Sequence, residues 1–528
     1  MTEGKTSPEG AVVRTGAPVS LSAQYRNIDW KKALREVRKL QRRIAEAVSQ
    51  GRWNRVKVLQ RMLIRSFWTK ALAVKKVCSN RGARTPGIDG KRLNTQAQKM
   101  ECILGLKKRG YRALPLRRTR IPKKPGSDKT RPLGISTIRD RAMMTLHQFA
   151  LEPVAESGAD TNSYGFRPYR SVRDAVDQGF KLFRQKGSCP WVLEADIKAC
   201  FDEMSHNWIL AHVPVDKKLL RQWLKCGYFE KNEFFPTKAG VPQGSPIAPT
   251  IANMVLDGLE KAVRAAFPSK TKVNFVRYAD DFIVSGESRE MLEEEVLPII
   301  DRFLEPRGLR LSRAKTQITH IEDGFDFLGK HFRKFCGKLI IQPSKKSIKS
   351  ISAKIRDTIR KHRGQAAAVL IKALNPIIRG WAEAQKTVQA ATAFSRIEKV
   401  IFDAMWRWAQ RSHPTKSKGW IVRRYYRPNP RSGKWGRFQD NAKKDREGIP
   451  HRVLLAKPMD VKLVRYIKIR GAANPHNPNH KDYFMRRRRG QVYRELTAPG
   501  WKRPSHEEDS TDTRSNKQTR NTAIKLLG

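Results

Sequence analysis

Two adjacent carboxylates sit inside a stretch that otherwise reads as β structure, and few folds accommodate that. Tyr278-Ala279-Asp280-Asp281 lies between Val273-Asn274-Phe275-Val276-Arg277 and Phe282-Ile283-Val284-Ser285. The β-branched and aromatic flanks favour strands, and the short polar segment between them marks the turn of a hairpin. An Asp-Asp pair at a hairpin tip is, on its own, most often a solvated turn. A further acid stands upstream in Trp191-Val192-Leu193-Glu194-Ala195-Asp196-Ile197, a short apolar run that reads as a buried strand with Asp196 near its C-terminal end. Pairing of neighbouring strands in one sheet would bring these acids together. Carboxylates so crowded repel unless hard cations lie between them, and oxygen ligands suit magnesium. Two magnesium ions roughly 3.5–4 Å apart can activate an attacking hydroxyl and stabilise the leaving oxygen in nucleotidyl transfer.

Tyr-Ala-Asp-Asp, Glu194-Ala195-Asp196-Ile197-Lys198-Ala199-Cys200-Phe201-Asp202 and Gly240-Val241-Pro242-Gln243-Gly244-Ser245-Pro246, in this order and spacing, resemble the reverse transcriptases encoded by bacterial group II introns. The resemblance runs from about Ser22 to about Arg489. It implies an α+β, right-hand polymerase with fingers, a palm built on an antiparallel sheet and an α-helical thumb, preceded by an N-terminal helical extension and followed by a basic DNA-binding region. The boundaries expected are a disordered leader over 1–21, an RNA-binding helical extension over 22–80, fingers and palm over 81–342, a thumb with the maturase domain over 343–412, a DNA-binding region over 413–490 and a disordered tail over 491–528.

The resemblance also assigns roles. Asp196, Asp280 and Asp281, with the Ile197 carbonyl, would bind two Mg²⁺ while a DNA or RNA 3′-hydroxyl attacks the dNTP; Asp281 ranks after the other two acids. Arg131 and Lys124, the latter interchangeable with Lys123, lie on a basic hairpin, Ile121 to Ile135, and would clamp the triphosphate. Phe201 would exclude a 2′-hydroxyl, Gln243 would hydrogen-bond near the nascent pair, and Lys315 is a candidate general acid for the pyrophosphate leaving group. Asn162-Ser163-Tyr164-Gly165-Phe166-Arg167-Pro168 would pack beside the palm and touch template, and Phe325 to Gly329 resembles a primer grip.

Local patterns fill in the rest. After an Asp29 cap, Leu34, Val37, Leu40, Ile44 and Val48 recur at helical spacing from Trp30 towards Gly51, and a second helical stretch covers about Asn54 to Val77. Beyond Ser347, apolar-periodic segments at Ile348–Ile359, Ala366–Leu374, Ile377–Val388 and Phe394–Trp408 imply a helical bundle. Past His413, aromatic and basic residues interleave in Trp420–Arg427 and Lys434–Phe438, a pattern suited to stacking and phosphate contact with single strands.

A formal net charge of +59 over 528 residues, spread from end to end, calls for a polyanionic partner. Group II intron RNA, target DNA with its primer, and dNTPs are the partners the resemblance implies; monomer and homodimer both stay open. Cys78, Cys102, Cys189, Cys200, Cys226 and Cys336 form no Cys-x-x-Cys pair and read as reduced, and His476 and His480 read as loop histidines. No apolar run approaches the roughly 20 residues of a membrane span, so the expected place is the cytoplasm, on nucleic acid and away from membranes. Many relatives carry a zinc-bearing HNH nuclease after the basic region. This chain is expected to be a form without it, which would prime cDNA synthesis from a nascent strand at a replication fork. A splicing cofactor that no longer polymerises, and a host-adopted reverse transcriptase in defence or repair, are the rival readings.

Overall fold

The computed structural model describes residues 20–122, 130–427, 436–444 and 450–488. The leader up to residue 19, Lys123, Lys124, Trp435 and the chain from Arg489 onward therefore lie outside the described residues. Two compact units divide the chain, one from within 1–158, 201–255 and 476–478, the other from within 159–200, 256–475 and 479–528.

In the first unit, helices Trp30–Ser49, Trp53–Arg65 and Phe67–Cys78 pack on the long helix Ile138–Gly158. Asp29 caps the first of these by accepting from the Lys31 and Lys32 amides at 2.8 and 2.9 Å. The stretch expected as one helix from Asn54 to Val77 is two, because Ser66 is extended (φ −60°, ψ 129°). Nor does the apolar stripe of the Trp30 helix run as the leucines suggest: Leu34 is exposed, and Ala33, Val37, Gln41, Ile44 and Ala47 are buried. Gln41 is inside for a reason. Pro153 interrupts the long helix and has no N–H to offer the Phe149 carbonyl one turn back. Gln41 Nε2 donates to that carbonyl at 2.8 Å, and Gln60 Nε2 serves the next, Ala150, at 3.1 Å. Gln41→Leu should thus destabilise the protein by about 1–3 kcal/mol, although it adds apolar surface, because a buried acceptor is orphaned; urea unfolding followed by circular dichroism measures it.

The same unit holds a four-stranded sheet in the order Thr130–Ile135, Leu116–Pro122, Tyr228–Glu230, Glu233–Phe235. The first two are antiparallel, with Ile121 opposite Arg131.

The second unit is built on an antiparallel sheet in the order Asn274–Tyr278, Asp281–Gly286, Trp191–Asp196, Gln317–His320. Its buried side carries Val192, Val276 and Ile283, in one cluster with Tyr164, Phe183, Phe325 and Phe332. A three-stranded sheet, Phe325–Phe327 with Lys330–Phe335 and Lys338–Pro343, follows in sequence. Then come helices Lys345–Lys361, Ala367–Gln385 and Ala391–Ser412 around Ile355, Leu370, Leu374, Ile397 and Met405. The two segments expected on either side of Asn375-Pro376 are one helix. Asn375 helps hold it there, its side chain donating to the Leu454 carbonyl at 2.9 Å and accepting from the Ala456 amide at 2.8 Å.

The stacking expectation past His413 needs correction for three residues. Tyr425, Tyr426 and Phe438 are buried, and Tyr425 lies flat on Phe438 with ring centroids 4.9 Å apart. Their faces are used up by the core, so they offer no platform to a base. Among the described residues no helix is long and apolar enough to cross a membrane.

Candidate active site

Sheet register, not sequence proximity, assembles the acids. Antiparallel pairing of Trp191–Asp196 with Asp281–Gly286 sets Asp196 opposite Asp281, and Tyr278 pairs with Asp281 on the other side to close the hairpin. Ala279 and Asp280 form the turn. Ala279 is buried at φ +59°, a left-handed conformation that costs a residue with a side chain of order 1–3 kcal/mol. Ile197, also buried, continues past Asp196, with its amide 3.4 Å from the Asp280 carbonyl.

The electrostatics are those of crowded, half-desolvated acids. Burial, then the charges of Asp196 and Asp280, push the Asp281 carboxyl up to about 7. Asp280 is raised for the same reasons, burial first and Asp196 after it. Lys315 pulls both down, and its Nζ sits 2.5 Å from Asp196 Oδ2. Lys315 thus stands as the counter-ion of this acidic cluster, on the short turn Arg313–Lys315.

Glu194 went unassigned in the sequence. Two residues before Asp196, it shares that side of the strand, and burial followed by the charge of Asp326 pushes it up to about 7. Its signal was the alternation itself: in a strand with Asp196 on one face, Glu194 must share that face. Asp326 belongs to the expected primer-grip turn, where Leu328 and Gly329 both take positive φ, +51° and +75°.

Asp196, Asp280, Asp281, Ile197 and Lys315 all belong to the second unit, whereas Arg131, Phe201 and Gln243 belong to the first. Within that first unit the Phe201 carbonyl accepts from the Val241 amide at 2.7 Å, and Gln243 Nε2 donates to both Asp202 oxygens at 3.2 and 3.1 Å. Gly240 at φ +85° has no room for a side chain, since a Cβ there would lie 2.5 Å from the Asp202 carbonyl oxygen. The Gly134 amide donates to the Gln243 carbonyl at 2.9 Å, which ties the Gln243 loop to the strand that carries Arg131. Arg131 itself is exposed.

Among the described residues no group of three or more His, Cys, Asp or Glu side chains is arranged to hold a metal ion. The donor chemistry nonetheless suits a hard cation. Asp196, Asp280 and Asp281 offer only carboxylate oxygens, Asp280 and Asp281 feel the charge of Asp196, and a lysine ammonium already supplies positive charge among them.

The acids paired across the antiparallel sheet and on the Tyr-Ala-Asp-Asp hairpin lie inside a match to the reverse transcriptases, one of three family models that fit the chain. Residues 121–332 match the reverse transcriptase (RNA-dependent DNA polymerase) model, 25–106 the N-terminal domain of reverse transcriptase, and 348–426 the group II intron maturase-specific domain. The chain is 33% identical over 345 residues to Protein YkfC of Escherichia coli (strain K12), an alignment covering 56% of this chain and 87% of that one. It is 29% identical over 332 residues to the group II intron-encoded protein LtrA of Lactococcus lactis subsp. cremoris, covering 50% of this chain and 54% of LtrA, about half its length. A solved telomerase from Candida albicans aligns over 58% of this chain and 64% of that one at 12% identity, with a TM-score of 0.32, too slight a likeness to carry an argument. The chain belongs to the group II intron-encoded reverse transcriptase and maturase family.

Proposed function

We propose that this chain copies RNA into DNA at the Asp196–Asp280–Asp281 cluster, and that its maturase region holds the intron RNA that it copies. The observation that carries the reading is the register that sets Asp196 opposite Asp281 with Lys315 on Asp196. Asp196, Asp280 and Asp281, with the Ile197 carbonyl, would hold two Mg²⁺. Bound there, the ions would lower the pKa of the primer 3′-hydroxyl and neutralise the leaving pyrophosphate. The protein's own part is positioning and charge. The sheet fixes Asp196 and Asp281 face to face, and Lys315, withdrawn from Asp196 when a substrate enters, donates a proton to the departing pyrophosphate. In the first unit, Phe201 excludes ribonucleotides, Gln243 meets the nascent pair, and Arg131 with Lys124 binds the triphosphate. In this reading residues 81–342 are fingers and palm, 343–412 thumb, 22–80 an RNA-binding extension and 413–490 a DNA-binding region, with target DNA, primer and dNTPs as ligands. Extension of oligo(dT) on poly(rA) in Mg²⁺ tests the reading, and a native chain that extends nothing overturns it.

The RNA partner would be seated at a basic cavity. A cavity of about 870 Å³ in the second unit is lined by Arg356, Arg363, Arg407, Arg411 and Arg424, and its one acid, Asp440, already holds Arg424 at 2.8 Å. So many guanidiniums repel one another unless an anion is supplied, and all five fall within the matched maturase-specific domain. Arg363→Ala with Arg411→Ala should weaken binding of the intron RNA and flatten the slope of log K against log salt by roughly 1.5, the counterions of two lost contacts. Filter binding at several salt concentrations measures it, and poly(rA)/oligo(dT) extension should be unchanged.

A further inference from the structure

The turn that presents Asp280 and Asp281 is strained at Ala279, so its position depends on what lies behind it. There, Arg277 is fully buried at 0% exposure. Its Nη2 lies 2.5 Å from Asp257 Oδ1 and 3.7 Å from Asp160 Oδ2, and Nη1 reaches the Ala279 carbonyl at 3.5 Å, a long contact but one made to the strained residue itself.

The acids that hold Arg277 are held in turn. Asp160 Oδ1 accepts from the Gly258 amide at 3.0 Å, and the Asp160 amide lies 3.4 Å from Asp257 Oδ1. Arg167 Nη1 donates to the Asp160 and Ser163 carbonyls at 2.7 and 2.9 Å. Asn162 is fixed to Glu260 through its amide at 2.8 Å and its side chain at 2.7 Å. This segment runs alongside the hairpin: the Arg277 amide donates to the Asn162 carbonyl and the Tyr164 amide to the Arg277 carbonyl, both at 2.9 Å. The motif expected to pack beside the palm and touch template thus backs the hairpin.

Stability alone does not account for such a cluster. A buried ion pair is often matched or bettered by apolar side chains of similar volume. What apolar side chains lack is a donor for the Ala279 carbonyl and a rigid fork tied to two fixed carboxylates. We propose that Arg277 is a positioning residue of the polymerase reaction: braced by Asp257 and Asp160, it sets where the Ala279–Asp280 turn presents its carboxylates. This rests on the polymerase reading of Asp280.

Two variants test it in the full-length protein. Arg277→Lys keeps the charge and loses the fork; Arg277→Met with Asp257→Leu, in a chain that also carries Asp160→Asn so that no buried carboxylate is left unpaired, replaces the pair by apolar side chains. On poly(rA)/oligo(dT), Arg277→Lys should lower kcat by about 10–100-fold, as for a displaced catalytic group. The dNTP KM and primer-template affinity should stay within about twofold, and half-maximal rate should need more Mg²⁺. The apolar pair should recover the melting temperature without recovering kcat. Native kcat in Arg277→Lys overturns the proposal, as does recovery of kcat with the melting temperature in the apolar pair. Failure of the apolar pair to fold overturns it too, since the ion pair would then be a folding element. Failure of the underlying reading looks different: there, Asp280→Ala extends primers as well as the native chain does.

Discussion

Asp280→Ala should leave a folded protein that extends primers at least about 10²–10³-fold more slowly, the loss expected when preorganised charge is removed from a reaction centre. The chemistry would need the carboxylate, while the fold is better off without it. Asp281 makes that opposition measurable. Its carboxyl is pushed up to about 7 from an ordinary 3.8, so between roughly pH 4 and 7 the unfolded chain has released a proton that the folded chain keeps. Stability therefore falls as pH rises through that window, and the penalty is complete above it. Asp281→Asn should be more stable than the native chain at pH 8, by on the order of 2–4 kcal/mol before local relaxation reduces it, with no gain near pH 4. Mg²⁺ should raise the melting temperature of the native chain and do much less for Asp281→Asn. Differential scanning calorimetry at the two pH values, with and without Mg²⁺, separates these effects; a gain of the Asn variant over the native chain no larger at pH 8 than at pH 4 would mean that the acids are not crowded as described.

What was legible in the sequence was what depends on local chemistry. The Asp29 cap, the β-branched flanks of the Asp-Asp pair and the buried run before Asp196 each set a local conformation that tertiary contacts had no cause to change. Elements went wrong where a local break left the apolar spacing intact or a distant partner intervened. Ser66 breaks a helix that the apolar spacing carries straight through. At Pro376 the opposite occurs, and a proline that should end a helix is tolerated because Asn375 is held by Leu454 and Ala456. Tyr425, Tyr426 and Phe438, interleaved with arginines, looked like a surface until Trp408 and one another covered them.

Charge was the hardest feature to read. An arginine inside a β-prone run is ordinarily a solvent-facing alternate, and nothing near Arg277 in sequence reveals that Asp160 and Asp257 come to meet it. Gln41 is the same problem in a helix, a polar residue on the buried stripe whose partner is a carbonyl freed by a proline far along the chain. Lys315 was expected as a candidate general acid, and nothing in the sequence showed that it rests on Asp196.

Gly165 gives the sharpest expression of how closely the backing fits. A Cβ there would lie 2.3 Å from the Ala279 amide nitrogen, 2.9 Å from the Tyr278 carbonyl carbon and 3.0 Å from the Ala279 Cα. Those are backbone atoms of the turn itself, so no side chain can rotate away to make room. Gly165→Ala must push the hairpin off its seat or force apart the Asn162–Arg277 and Tyr164–Arg277 hydrogen bonds. Either way the carboxylates move, and kcat should fall by about 10²-fold, the scale of an ångström's misplacement. Stability should drop by about 1–3 kcal/mol from overpacking. Gly380→Ala is the control, in a helix with nothing within 4 Å of the added methyl. It should stabilise the chain by up to about 1 kcal/mol through helix propensity and leave extension unchanged. Gly165→Ala with native kcat would show that the turn accepts displacement without penalty, and the buttress would then hold the fold and not the reaction.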